Sequence, residues 1–313
     1  YSGTGYYTGG SGTLNSGGKI PLKLKPEAMT FKEKDSGSGT EYVMSDPYTM
    51  AIEATVKDVD DKSVTKTENI SVYPGNFLIG IKAEGSYQSF KSPFNISLVA
   101  VTNKGGKTSG EKCYVRIIKN IWKSVKTKGP DGSLQTRNTL VKETVYTKPV
   151  TLSSDPLNLR YRPSSPGIYT VTVQEKGGAT YSRIGIYAYG GDFSSWDFND
   201  DDSVNVIPDK SEYKPGDTAK VLIQSPYRDC RAIITLEREK VYWSRTVTLD
   251  GNGTPISVPI TEEHTPNVYL GVMIVRPRIK PGKELSPEER KSFIDNDLGV
   301  PELKAGFAVL NVN

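Results

Sequence analysis

The sequence predicts an all-β chain of tandem antiparallel β-sandwiches, and three observations support that fold class. Apolar and polar residues alternate along many short runs, such as residues 48–57 and 169–173, so each run has one face suited to burial. The 30 glycines and 20 prolines supply turns between these runs. Similar runs recur in the same order along the 313 residues, a length that suits about three modules of ~100 residues.

The part of the chain before residue 74 predicts an incomplete sandwich. Residues 1–18 are rich in Gly, Ser and Tyr, a composition typical of a linker or a long loop. Strands are predicted at 19–25, 48–57 and 69–73, with polar turns at 35–39 and 58–62. Because these strands make up only about half of a sandwich, we expect residues 19–73 to be a partial β-sandwich whose first strands lie upstream in a longer chain.

The remainder of the chain predicts two complete sandwiches. Residues 74–190 form the first, residues 191–207 an acidic linker, and residues 208–313 the second, which contains an insertion at 276–303. In the first sandwich, strands are predicted at 77–82, 94–102, 113–119, 169–173 and 182–187. Residues 122–143 are polar and basic, and no strand is predicted there. Glycine-containing turns at 103–106 and 176–178 are interpreted as hairpin turns.

The predicted units share sequence with one another. Residues 113–118 align with residues 230–235, and residues 90–99 align with residues 213–222. A proline followed by a tyrosine introduces a late strand in each unit, at Tyr48, Tyr169 and Tyr269. The alignment places Cys113 and Cys230 at equivalent positions of sibling units, so we do not expect them to form a disulfide with each other.

Charge and hydropathy exclude two classes of partner. The 40 Lys and Arg and the 36 Asp and Glu are mixed along the chain, whereas a nucleic-acid interface would need clustered positive charge. No run of about 18 apolar residues is present to span a membrane. The chain also has no signal peptide at Tyr1, and we therefore expect a piece of a longer protein.

The candidate catalytic and metal-ligating residues do not form a recognisable site. His264 is the only histidine, and without a nucleophile motif we expect an exposed loop residue. Glu237 and Glu239 lie two apart on a predicted strand and share its face, but neighbouring basic residues favour a structural role. We therefore predict a chain that is not an enzyme and has no catalytic residue or cofactor.

A weak acidic cluster resembles the first half of a calcium loop. Asp197, Asn199 and Asp201 place oxygen ligands at alternate positions, but the sixth position is Asp202 instead of Gly and the twelfth is Pro208 instead of Glu. A solvated linker is the favoured interpretation, and no metal is predicted.

The insertion at 276–303 leaves two alternatives open. Its basic residues could make a protease-sensitive loop, with cleavage candidates at Arg278, Lys280, Lys283, Arg290 and Lys291. The other alternative is an ordered insert. Ser286 and Glu289 are spaced as a capping box with Pro287 at the first helical position, which predicts a short helix over 287–294. Because a protease cleft binds extended chain, the helix favours the ordered insert.

Four motifs in the last unit carry a resemblance to a known family. They are the YKPGDTA turn that begins at Tyr213, the ITLER strand that ends at Arg238, the VPI edge that begins at Val258 and the PNVY segment that ends at Tyr269. In this order they resemble a macroglobulin-like domain of the bacterial alpha-2-macroglobulin family. The resemblance implies macroglobulin-like sandwiches, related to fibronectin and immunoglobulin folds, and the short helix in the late insertion is predicted from the capping box alone.

The resemblance also implies a function for the longer protein. Members of this family are periplasmic or secreted inhibitors of proteases. A protease cuts an exposed bait region of the inhibitor, and the inhibitor then rearranges and surrounds that protease. Many members carry a Cys-x-Glu-Gln thioester, but this sequence has only Cys113-Tyr-Val-Arg and Cys230-Arg-Ala-Ile, so no thioester is expected in these residues. The implied partners are target proteases, bound through the full-length protein, and neighbouring domains of the same chain.

Two other functions remain open on the sequence alone. A cell-surface adhesin or carbohydrate-binding array of immunoglobulin-like modules would present an exposed aromatic platform, for which Trp122 and Trp196 are the candidates. A non-catalytic part of a secreted hydrolase would be accompanied by a catalytic module elsewhere in its chain.

Overall fold

The computed structural model describes most of the chain and divides it into two compact units. The described residues are 9–21, 23–24, 26, 29–34, 39–128, 134–190, 203–225, 227, 230–249, 255–282, 286–295 and 299–313, with no side chains described from 122 to 139. One unit combines Tyr1–Met29 with Pro47–Tyr73, and the other combines Thr30–Asp46 with Pro74–Asn313.

The described residues before position 74 form two hairpins. Their strands are β1 (Thr30–Lys34), β2 (Glu41–Ser45), β3 (Tyr48–Lys57) and β4 (Ser63–Val72). In the first unit, β3 and β4 pair antiparallel from Tyr48 opposite Val72 to Lys57 opposite Ser63. The predicted turn at 58–62 is confirmed: the Asp58 N–H donates to the Lys62 carbonyl at 2.8 Å.

The larger unit contains two sandwiches of the same design. Between residues 74 and 190, the described strands are β5 (Phe77–Ala83), β6 (Tyr87–Ser89), β7 (Phe94–Thr102), β8 (Ser109–Lys128), β9 (Leu134–Ser153), β10 (Leu157–Tyr161), β11 (Gly167–Glu175) and β12 (Tyr181–Tyr189). They form a three-stranded sheet in the order β10-β7-β5 and a five-stranded sheet in the order β6-β12-β11-β8-β9. Alternate residues of these strands, such as Phe94, Leu98 and Val171, fill the core between the sheets.

The second sandwich repeats this order. Its described strands are β13 (Asn205–Pro208), β14 (Glu212–Tyr213), β15 (Thr218–Gln224), β16 (Cys230–Glu237), β17 (Val241–Leu249), β18 (Pro255–Pro259), β19 (Asn267–Arg276) and β20 (Glu302–Val312). The sheet orders are β13-β15-β18 and β14-β20-β19-β16-β17, which are those of the first sandwich shifted by eight strands. The predicted all-β fold of tandem antiparallel sandwiches is confirmed.

The repeat also fixes the positions of the two cysteines. Cys113 begins the buried run of β8, and Cys230 begins that of β16, so they lie in two separate cores. Both are buried and neither forms a disulfide. The predicted equivalence of Cys113 and Cys230 agrees with the shared strand order.

The predicted equivalence of Tyr169 and Tyr269 is wrong by one residue. When the cysteines are superposed, the pairs Arg116–Thr172 and Ile233–Met273 become equivalent, and Tyr169 then corresponds to Leu270. Tyr169 is fully buried, whereas Tyr269 lies on the opposite face of its sheet and is exposed. Because side chains alternate along a strand, a shift of one residue exchanges the two faces.

The β1–β2 hairpin packs against the first sandwich. It lies on the outer face of the five-stranded sheet, the face that points away from the core. Met44 is fully buried there, and the Arg116 guanidinium lies 3.3 Å from the centre of the Tyr42 ring. The Gln174 side-chain amide donates to the Val43 carbonyl at 2.8 Å. These contacts explain why residues 30–46 group with the second unit and not with 47–73. A partial sandwich over 19–73 therefore stays a prediction.

Three local predictions are wrong. The described residues within 19–25 are not in a strand. The polar segment 122–143 contains parts of β8 and β9, whose pairing extends as far as Lys128 opposite Leu134. The turn at 103–106 is present, with the Thr102 N–H donating to the Gly106 carbonyl at 3.0 Å and one antiparallel bridge between Val101 and Lys107, but β7 and β8 do not pair across it. It joins β7 of one sheet to β8 of the other, and sequence spacing alone does not distinguish these two connections.

Among the residues described, no helix combines the length and apolar character that a membrane crossing requires.

Candidate functional site

The insertion between β19 and β20 begins at a polar cluster that we call the neck, formed by Tyr227, Arg276 and Glu302. Arg276 and Glu302 face each other as the last pair of the β19–β20 ladder and form a salt bridge. The Tyr227 hydroxyl donates to the other Glu302 oxygen, and the Arg276 guanidinium lies 4.8 Å from the centre of the Tyr227 ring. Burial and the Glu302 carboxylate raise the pKa of Tyr227 well above its usual range, so the hydroxyl remains a donor.

Beyond the neck, the two ends of the insertion are joined by backbone contacts. The Arg276 guanidinium donates to the Val300 carbonyl at 3.1 Å, and the Ile279 N–H donates to the Gly299 carbonyl at 3.1 Å. Gly299 has no space for a side chain, because a Cβ would lie 2.2 Å from the Ile279 oxygen. The first and last segments of the insertion are therefore in close contact at its base.

The insertion contains the predicted helix, α1 (Pro287–Asp295). The Ser286 hydroxyl accepts the Glu289 N–H at 3.2 Å, and the Glu289 carboxylate accepts the Ser286 N–H at 2.9 Å, which confirms the capping box. The Arg290 side chain donates to the Gly282 carbonyl at 3.1 Å and so connects the helix to the segment before it. No residue of α1 is buried, so its caps matter more than its packing.

The cleavage candidates fall in different local environments. Arg278 and Lys280 are exposed in the irregular segment after β19, and Arg290 and Lys291 are exposed on α1. Lys283 lies outside the described residues. Trypsin cleaves poorly before proline, and Lys280 is followed by Pro281. Since a helix must unfold to enter a protease cleft, the bond after Arg278 is the most accessible tryptic bond of the described insertion.

His264 is not the exposed loop residue that the sequence suggested. It is 4% exposed at the end of a short 3₁₀ turn, Glu262–His264, and its ring packs edge-on against Tyr242 at 5.0 Å. Its Nδ1 accepts the Thr261 N–H at 3.0 Å, and burial lowers its pKa, so the ring is neutral. The prediction missed this packing because Tyr242 is distant in sequence.

The paired carboxylates at 237 and 239 do not share a strand face. Glu237 ends β16, and Glu239 lies in the turn that follows. Glu239 forms a salt bridge with Arg238 and accepts the Tyr242 hydroxyl at 2.7 Å. The Arg238 hydrogen bonds lower the pKa of Glu239 to about 2, so this carboxyl group cannot act as a general acid at neutral pH.

Arg238 holds the turn that leads into β19. Its guanidinium donates to the carbonyls of Thr265 at 2.6 Å and Asn267 at 3.0 Å. This is a structural role for the arginine that ends the ITLER motif.

Several candidates lie outside the residues described. Asp197, Asn199 and Asp201 fall in the segment 191–202, as does Trp196, and the Trp122 side chain is not described. In the part of the chain that is described, no three His, Cys, Asp or Glu residues are grouped as metal ligands.

The neck is the feature that sequence reasoning missed. Tyr227 and Glu302 are 75 residues apart, so no local pattern joins them. The available signal in the sequence was the pair of opposite charges, Arg276 and Glu302, at the two ends of the predicted insertion.

Comparisons with known proteins match both the sandwich that carries the insertion and most of the chain. Residues 204–313 match the family model described as the alpha-2-macroglobulin bait region domain. An alpha-2-macroglobulin homolog from Nostoc sp. is 29% identical over 272 residues, which are 85% of this chain and 14% of that protein. The alpha-2-macroglobulin of Ralstonia nicotianae is 32% identical over 122 residues, or 39% of this chain and 7% of its own length.

Among solved structures, the native conformation of E. coli alpha-2-macroglobulin aligns with a TM-score of 0.37 at 18% identity, covering 87% of this chain and 18% of that one. The chain thus spans less than a fifth of the length of each of these three proteins. Residues 204–313 therefore match a domain of the alpha-2-macroglobulin family, and most of the chain is similar in sequence to a bacterial alpha-2-macroglobulin homolog.

Proposed function

We propose that this chain is a structural segment of a bacterial alpha-2-macroglobulin-like protease-trapping inhibitor. In this proposal the sandwiches set the spacing between parts of the longer protein, and the β19–β20 insertion is an ordered element instead of the bait. The chain itself performs no chemistry, and target proteases meet it only through the longer protein, which we call the parent protein. A periplasmic or cell-surface location follows from the same proposal.

The observation that carries the proposal is the match of residues 204–313 to the bait region domain. This match covers one complete sandwich of the repeat, including its insertion. The side chains of that sandwich are used for packing and for turns: Cys230, His264 and Glu239, which could have done chemistry, are buried or held by neighbouring groups.

The geometry of the insertion supports the ordered alternative. Three groups of contacts hold it: the neck, the backbone contact between Ile279 and Gly299, and the capped helix. A bait must enter a protease cleft as extended chain, and Arg290 and Lys291 would first have to leave α1. The insertion therefore has the properties of a scaffold loop.

An inhibition assay on the parent protein tests the proposal. Endopeptidases of different specificity are mixed with the parent protein, and their activity is measured on a large protein substrate and on a short peptide. A surrounded protease should lose most of its activity on the protein substrate and keep more of its activity on the peptide, because only the small substrate can diffuse in. Unchanged hydrolysis of the protein substrate by every endopeptidase would reject the proposal, and glycan binding by the same protein would favour the adhesin alternative.

A further inference from the structure

The second sandwich has an apolar surface on the outer face of its five-stranded sheet. We call this surface the second outer face. Its exposed apolar side chains come from three adjacent strands and are Ile233 of β16, Tyr269, Met273 and Val275 of β19, and Leu303, Phe307 and Val309 of β20. Phe307 is 68% exposed, and its ring lies 6.1 Å from that of Tyr269.

The strand register makes these side chains neighbours. On the paired strands β19 and β20, Val275 lies opposite Leu303, and Tyr269 lies opposite Val309. Met273 lies opposite Ile233 on its other side. The result is a continuous apolar surface and not a set of scattered residues, and contiguous exposed apolar surface of this kind is typical of binding sites.

The equivalent face of the first sandwich is covered. Arg116 and Thr172, each 1% exposed, occupy the positions of Ile233 and Met273, which are 43% and 41% exposed. The first outer face is buried by the β1–β2 hairpin, an element that precedes the sandwich in the chain. Equivalent positions of the two five-stranded sheets are therefore buried in the first sandwich and exposed in the second, although the exposed side chains are the more apolar ones.

We propose that the second outer face is the docking site for a β-hairpin from a neighbouring domain of the parent protein. The first sandwich supplies the precedent for a hairpin as the occupant. The matched relatives supply the chain from which it can come, since this chain covers 14% of the Nostoc sp. protein. The proposal rests on the proposed function in one respect, which is that the chain is part of a longer protein.

The side chains on this face also indicate the chemistry of the occupant. On the first outer face, Arg116 stacks on the Tyr42 ring and Gln174 donates to the Val43 carbonyl. On the second, Ile233 replaces Arg116 and Val275 replaces Gln174. The occupant therefore needs no acidic group or free carbonyl at these places, and alternate residues of its strands should be aliphatic or aromatic.

Thiol labelling tests the proposal. Phe307→Cys is made in the 313-residue chain and in the parent protein, and the rate of reaction with a small water-soluble thiol reagent is measured in both. Lys220→Cys, on the exposed face of β15, is the matched control for general accessibility. Background is low because Cys113 and Cys230 are buried, and burial raises the pKa of Cys113 to about 12.

The proposal predicts that the thiol of the Phe307→Cys variant reacts at least tenfold more slowly in the parent protein than in the 313-residue chain, after division by the rate of the Lys220→Cys control. Equal normalised rates would overturn it. Protection that appears in the 313-residue chain and increases with its concentration would assign the face to a second copy and overturn the hairpin as occupant. Protection in a parent protein that fails to inhibit proteases would leave the docking site standing and reject only the proposed function.

Discussion

At the scale of single residues, the groups that looked reactive in the sequence serve the fold. His264 illustrates this most clearly, because its ring caps a short turn and packs against Tyr242 within the second sandwich. A buried neutral histidine of this kind couples the stability of the sandwich to pH, since the unfolded chain takes up a proton more readily than the native ring does.

Lowering the pH should therefore destabilise the second sandwich through His264. Burial lowers the native pKa of His264 below the ordinary value of about 6.5, so above that value both states are neutral and the residue contributes no pH dependence. As the pH falls below it, the unfolded state binds the proton first and the free energy of unfolding decreases. Denaturant unfolding between pH 8 and pH 5 measures this decrease.

His264→Gln is the matched control, because the glutamine amide oxygen can accept the Thr261 N–H but does not titrate. Between pH 7 and pH 5, the free energy of unfolding should decrease less in the variant than in the native chain. The same slope in both proteins would show that other groups cause the change.

At the scale of single elements, alternation predicted most of the strands that carry the core. β7 was predicted with its observed bounds, and β11, β12, β19 and β20 were recognised from the same pattern. The pattern failed for the far ends of β8 and β9, where the sequence is polar and basic and carries no alternation of apolar residues. It also missed β1 and β2, whose burial depends on a sheet more than 60 residues away, as the 131-residue separation of Val43 and Gln174 illustrates.

The candidate site shows the same division between local and distant contacts. The capping box of α1 could be predicted because Ser286 and Glu289 are three residues apart. The neck was not predicted, because Tyr227 lies 75 residues from Glu302 in the sequence and no local pattern places its ring beside Arg276. The predicted equivalence of Tyr169 and Tyr269 was wrong for a related reason. The motif around Tyr269 shows where a strand starts, but it does not show which face of the sheet each side chain occupies.

Removal of the helix cap should expose α1 to proteases. Ser286→Ala deletes the hydroxyl that accepts the Glu289 N–H, which costs about 1 kcal/mol of helix stability. Because α1 has no buried residues to compensate, tryptic cleavage after Arg290 and Lys291 should accelerate by about fivefold. Peptide mapping by mass spectrometry measures these rates.

Ser286→Asp is the control for this prediction, since aspartate also caps helices and should leave the cleavage rates near their native values. Equal cleavage of Ser286→Ala and the native chain would mean that α1 is not held by its cap.

At the scale of the whole molecule, two sandwiches with separate cores account for most of the described structure. Leu98 belongs to the first core and Leu270 to the second, and both are fully buried. One direct link between the sandwiches is the hydrogen bond from the Ser86 hydroxyl to the Pro208 carbonyl at 2.8 Å. One hydrogen bond contributes little stability compared with the apolar core of either sandwich.

The two sandwiches should therefore unfold in separate transitions. Leu98→Ala and Leu270→Ala each remove a fully buried side chain, which destabilises a core by about 2–5 kcal/mol. Each substitution should lower the midpoint of one transition and leave the other within error, as measured by calorimetry or denaturant titration. A uniform shift of the entire unfolding curve by either substitution would indicate a single cooperative unit.

The central claim is that this chain is an ordered structural segment whose β19–β20 insertion is not a bait. Limited digestion of the native 313-residue chain with trypsin, followed by mass mapping of the first cuts, tests it most directly. We predict that the sandwich strands and the bonds after Arg290 and Lys291 resist cleavage under conditions that digest the unfolded chain completely. Rapid first cuts within α1, after Arg290 or Lys291, would contradict the claim and identify the insertion as a bait.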